Sequence, residues 1–131
     1  MSHYGRPVAE WTDLEAVGWE FLVAQARLQR TTSYTEMNTV LKQRTGVKEF
    51  DFDLDGERRA MGELLGRISE RSFQQCQLLI SVLVQYLNAN DAGPGFYQLA
   101  QRKKLLRMQP SQDEKLIFWV GHVKAVHAYA W

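Results

Sequence analysis

LLISVLVQYL-NANDAGPG-FYQL, residues Leu78–Leu99, joins an apolar run, a glycine-rich break and a second apolar run. In the first run, Ile80, Val82, Val84 and Tyr86 alternate with Leu79, Ser81, Leu83 and Gln85. A run apolar on both faces and bounded by turn residues predicts a strand at Leu78–Leu87, covered on both sides. A buried helix segment gives the same short pattern, but the density of Val and Ile favours the strand. The break must turn the chain. Gly93 and Gly95 permit positive φ, Pro94 fixes its own φ, and Asn90 and Asp91 can bond their own backbone. This loop reads as a structural turn, or as a loop or wing that brings backbone amides to a ligand such as phosphate. It holds no Lys, Ser or Thr, so it is not a P-loop.

With 131 residues, one compact domain is expected, large enough for a core without staples, with residues 1–10 as a loose N-terminal arm. The single cysteine, Cys76, rules out an internal disulfide, makes no zinc site, and reads as structural. No stretch resembles a signal peptide or a membrane span, which predicts a cytoplasmic protein with no membrane partner. A net charge of +1 gives no general attraction to nucleic acid, so any such surface must come from clustering.

Three capping boxes mark helix starts: Thr12 with Glu15, Ser33 with Glu36, and Ser111 with Glu114. The first opens a helix to about Gln29, with Leu14, Val17, Phe21 and Leu28 on one face. The second opens a shorter helix carrying Met37, Val40 and Leu41, which Gly46 ends. The third opens a C-terminal helix whose buried face is read as Leu116, Trp119, Val120, Val123 and Val126. Phe118, Tyr129 and Trp131 exceed what that stripe needs, enough to cover a neighbouring element or to form part of a homodimer contact. Phe96–Leu106 reads as a short helix running into the basic residues Arg102, Lys103, Lys104 and Arg107.

Phe50–Gly56, FDFDLDG, begins like an EF-hand loop. Its bidentate position falls on Gly62 and its eighth on Arg58, so the EF-hand pattern fails. The segment is read as extended and half-buried, with Asp55 capping the next helix; a non-EF cation loop at Asp51, Asp53 and Asp55 is the alternative. Glu57–Arg71 is the clearest amphipathic helix, with Met61, Leu64, Leu65 and Ile68 on one face. Gly62 and Gly66, one turn apart, each weaken it by about 1 kcal/mol relative to alanine, which suggests that another backbone packs there. Arg58, Arg59, Arg67 and Arg71 occupy the other faces, as a solvated surface or as contacts to phosphates or a groove.

Signatures of catalysis are absent: there is no HExxH, GxSxG, GxGxxG or CxxC. His122 and His127 have the wrong spacing for a metal pair on one helix face. Ser81, His122 and Asp91 compose a triad only on paper. No cofactor and no metal site is expected, and the balance is against an enzyme.

MGELLGRIS at 61–69, LLISVLV at 78–84 and GPGFYQLA at 93–100 together resemble a set of small bacterial and phage proteins with no activity attached. TTSYTEMNTVLKQRTG followed by RRAMGELLGRIS is similar, more distantly, to the helix-turn-helix half of the alkyltransferase-like DNA-binding proteins. That similarity implies DNA contacts at Tyr34 and at Arg58 or Arg59. The family's Pro-Cys-His-Arg is missing around Cys76, and the acidic FDFDLD lengthens the connection between the helices, so alkyl transfer is not implied.

The resulting expectation is a mainly helical α+β domain with a helix-turn-helix or winged-helix-like middle and a small sheet or hairpin. Its function is non-catalytic binding, with nucleic acid held by Arg58, Arg59, Arg67, Lys103, Lys104 and Arg107 and by the loop residues Asn90, Asp91, Gly93 and Gly95. A protein-interaction or immunity-type module is the alternative, and a metal-independent nuclease the second. Basic residues sharing one face would favour nucleic acid; interruption by the acidic 49–57 segment would favour a protein partner.

Overall fold

The first helix is set by proline. In the computed structural model, which describes residues 2–86 and 92–131, Pro7 sits at the N-cap with φ −68°, and α1 runs Val8–Arg27. Thr12 lies inside this helix and donates its hydroxyl to the Val8 carbonyl, so the Thr12–Glu15 box caps nothing. The earlier start brings Trp11 into the buried stripe with Leu14, Phe21, Leu22 and Ala26 and leaves Leu28 exposed.

The N-terminal arm is ordered. Strands β1 (Ser2–His3) and β2 (Arg6–Pro7) pair antiparallel around Tyr4 and Gly5, both at positive φ. Trp11 Nε1 donates to the His3 carbonyl at 2.9 Å. Arg6 is buried, donates to the carbonyls of Lys48 and Glu49, pairs with Glu57 at 3.0 Å and covers the Phe50 ring.

β3 (Thr32–Ser33) leads directly into α2 (Tyr34–Thr45). Ser33 Oγ accepts from the Glu36 N–H as expected, while the Glu36 carboxylate takes the Thr32 hydroxyl. Gly46 ends α2 at φ 72°. Asn38 then fixes the Phe50 backbone by two hydrogen bonds of 2.9 Å.

α3 spans Asp55–Cys76, longer at both ends than the expected Glu57–Arg71. Leu54, not Asp55, occupies its N-cap, without a side-chain bond, and Leu54 is exposed. Asp55 instead pairs with Arg58. The close approach of α1 and α3 occurs at Gly18, where an added Cβ would lie 2.6 Å from Ile68 Cδ1.

Of the strand expected at Leu78–Leu87, only two of the described residues are strand; Leu87 lies outside the described residues. Ile80–Leu83 forms a 3₁₀ turn, and only β4 (Val84–Gln85) pairs, parallel, with Thr32–Ser33. Helices α1, α3 and the C-terminal α5 (Gln112–Ala128) pack against the turn, which leaves it no strand neighbours. Side chains satisfy its backbone instead. His122 Nε2 accepts from Leu79 N–H at 2.8 Å, Ser72 Oγ from Ile80 N–H at 3.0 Å, and Ser69 Oγ from Ser81 N–H at 2.9 Å. Trp119 Nε1 donates to the Val82 carbonyl at 3.2 Å. The segment is buried all round, as its composition required, but with no ladder.

α4 covers Pro94–Arg102, with proline at its first position, two residues before the expected start and shorter than expected. α5 (Gln112–Ala128) opens on the full Ser111–Glu114 capping box. It buries Trp119, His122 and Val126, whereas Leu116 and Val120, expected inside, are exposed. The result is a mainly helical α+β fold. Among the described residues no helix is long and apolar enough to cross a membrane.

Burial pushes His122 down from 6.5 to about 4. The unfolded chain binds this proton at higher pH than the folded one. The His122 contribution is therefore complete above pH 6.5 and is lost as pH falls toward 4. We expect a loss of about 3 kcal/mol over that window, read from urea unfolding across a pH series. His122→Gln, which keeps an acceptor for Leu79, should lack that part of the fall; an unchanged pH profile would assign the proton elsewhere.

Candidate functional site

Gly62 and Gly66 explain the main cavity. A Cβ built at either meets nothing within 4 Å, so no backbone packs on this strip, contrary to expectation. The strip is the open floor of a cleft of about 1130 Å³ between α3 and α4. A smaller depression of about 450 Å³ shares Gly62 and Gly66 and extends the cleft toward Glu70 and Lys103. From Arg59 to Glu70 the α3 face spans about 17 Å at the helical rise.

The far wall is aromatic. Tyr34, at the start of α2, and Tyr86, just past β4, have ring centroids 5.2 Å apart, and Phe52 and Phe96 also line the cleft. The Tyr34 hydroxyl accepts from the Gly93 N–H, and burial, with a smaller effect of Tyr86, pushes its pKa up to about 12. A Cβ at Gly93 would lie 2.5 Å from that oxygen. A side chain at Gly93 would have to displace the Tyr34 hydroxyl where the start of α4 meets the start of α2.

Most of the sequence-predicted cations are already engaged. Arg58 lines the cleft but pairs with Asp55 and donates to the Phe52 carbonyl. Arg67 bridges Glu15 and Glu63 at 3.0 and 2.8 Å over the Trp11 ring. Lys103 pairs with Glu70 at 2.6 Å, and Arg107 chelates Glu114. The Arg107 contact and the Ser111 N–H hold Glu114 down at about 2. Arg71 covers Trp19. Among the described residues, Arg59 and Arg102 line the cleft from its two helices without an ion pair; Lys104 is also unpaired but lies outside the cleft.

The cleft carboxylates are neutralised. Asp55 pairs with Arg58, and Glu63 is held by His3 and Arg67, which keep its pKa below the usual range despite some burial. In the acidic segment, Asp51 Oδ1 accepts from Asp53 N–H at 3.0 Å, while Arg6 holds Glu57. Among the described residues no three metal-ligating side chains gather, so Asp51, Asp53 and Asp55 do not converge.

Of the loop residues, Gly93 and Gly95 line the cleft, while Asn90 and Asp91 lie outside the described residues. The Ser81–His122 pairing fails: His122 Nε2 is bound to Leu79 and Ser81 Oγ to Ser69. The C-terminal aromatics are also engaged. Phe118 stacks on His122, while Trp131 donates to the Val126 carbonyl and packs edge-on to Trp19. Phe118 and Trp131 are thereby partly buried against the core.

Sequence reading put Arg102 in the basic run but not among the contacts, and it missed Tyr86. It noted the Gly62/Gly66 pair, the signal that locates the floor, but took it for helix packing. Tyr34 and Arg58/Arg59, the positions matched by the helix-turn-helix resemblance, do line one cleft. Compared with family models, curated proteins and solved structures, the chain matches none.

An open floor makes its glycines a liability to the helix. Gly62→Ala and Gly66→Ala should each stabilise the protein by about 0.5–1 kcal/mol in urea unfolding. Destabilisation would mean that a neighbouring group fills the strip.

Proposed function

We propose that this protein binds single-stranded nucleic acid in the α3–α4 cleft, without chemistry. The observation that carries the reading is the pair Arg59 and Arg102, lining one cleft without carboxylate partners. Arginines that remain unpaired are available to phosphates, and Tyr86, 48% exposed beside Tyr34, offers a face on which a base can stack. Asp55 and Glu63 repel phosphate less than their number suggests, because each already holds a cation. With those carboxylates paired, the cleft favours nucleic acid over an acidic-surface protein contact. No cleft group is poised as a base: Tyr34 keeps its proton, and the carboxylates are paired. Arg67 and Lys103 border the extension but serve the fold.

Fluorescence anisotropy of a labelled single-stranded oligonucleotide across a salt series tests this. Two phosphate contacts predict a log–log slope of about −1.4, and Arg59→Ala or Arg102→Ala should each remove about 0.7. Lys104→Ala should leave the slope unchanged. Tyr86→Ala should weaken binding by about tenfold without altering the slope. Absence of binding at low salt would overturn the reading, equal affinity for duplex DNA would move it to helix-turn-helix docking, and shortened RNA would make the protein a nuclease.

A further inference from the structure

Among the described residues, the outer face of α5 has no partner. Leu116, Ile117 and Val120 are 49%, 72% and 37% exposed, on a helix whose opposite face already meets α1 and the 3₁₀ turn. At helical spacing Asp113, Ile117, Val120 and Lys124 fall within about 60° of one another, flanked by Leu116 and Gly121. Asp113 and Lys124 are exposed, and neither has an ion pair among the described residues. A Cβ at Gly121 would meet nothing within 4 Å.

This strip is self-complementary when reversed. Its centre lies between Phe118 and Trp119, and a two-fold axis there sets Ile117 opposite the partner's Val120. It sets Leu116 opposite the partner's Gly121, where the missing side chain leaves a socket, and Asp113 opposite the partner's Lys124. A parallel pairing would instead set like charges together at both ends. We propose that two copies of this chain dimerise through an antiparallel, isologous α5–α5 contact. The apolar centre supplies the attraction, and the charged ends fix direction and register. The interface uses a different face of the helix from the aromatic surplus read from sequence, Phe118, Tyr129 and Trp131. It is also independent of the α3–α4 cleft.

The strip spans about 17 Å of helix, which places the contact at the small end of specific interfaces and its Kd in about the micromolar range. Sedimentation equilibrium of the full chain from about 1 to 300 μM should show a monomer–dimer equilibrium. Ile117→Asp should abolish the dimer. Asp113→Lys alone and Lys124→Asp alone should each weaken it by about tenfold, and the double reversal should restore it. Far-UV circular dichroism checks that each surface variant is folded. Monomer throughout the range overturns the proposal. So does a dimer indifferent to Ile117→Asp, or single reversals that the double does not rescue.

Discussion

The structure depends on burying a backbone without a sheet. Leu79, Ile80, Val82 and Leu83 are completely enclosed by helices, and an enclosed peptide group left unbonded is expensive. A strand would meet this need with neighbours. Here two serines of α3, together with a histidine and a tryptophan of α5, meet it. Ser69 and Ser72 are themselves buried, so each hydroxyl must be bonded, and each is bonded to the segment it supports. The helices are therefore locked to the central turn by polar contacts of fixed register as well as by apolar area. His122 belongs to this lock, and its neutral form is the working one because the Leu79 N–H needs an acceptor.

A second lock forms at the N-terminus. The acidic 49–57 segment has the look of a cation loop, but the cation that organises it is a guanidinium. Arg6 reaches two carbonyls and Glu57 at once while stacked on Phe50. This ties the first strands to the start of α3, where the cleft begins. At the cleft itself, Asp55 pairs with Arg58, and Glu63 with His3 and Arg67. The electrostatic character of the cleft then follows from Arg59 and Arg102 rather than from the total of charges around it.

Two kinds of glycine do opposite things here. Gly18 and Gly93 are small because something occupies the space a side chain would need, Ile68 in one case and the Tyr34 hydroxyl in the other. Gly62, Gly66 and Gly121 are small with nothing nearby. In a helix such positions weaken the fold with no packing return. Their open surroundings coincide with the two surfaces proposed for recognition, the cleft floor and the outer face of α5.

Local chemistry was legible in the sequence. Ser33, Ser111 and Gly46 mark helix ends correctly because their hydrogen bonds reach only three or four residues. The mainly helical α+β class, the α3 stripe and the burial of Leu78–Val84 were legible for the same reason: composition and period act along the chain. Thr12–Glu15 misled because Pro7 had already started the helix. Leu78–Leu87 misled because burial does not specify conformation; strands need neighbours, and α1, α3 and α5 took their place. The site was less legible. Which arginines remain available depends on partners far along the chain, such as Glu15 for Arg67, 52 residues away, and Glu70 for Lys103, 33 residues away. Sequence alone determined the caps at Ser33, Gly46 and Ser111, the apolar stripe of α3 and the mainly helical class. Only the tertiary structure decided which charges are unpaired and which glycines face open space, because both depend on what folding brings alongside them.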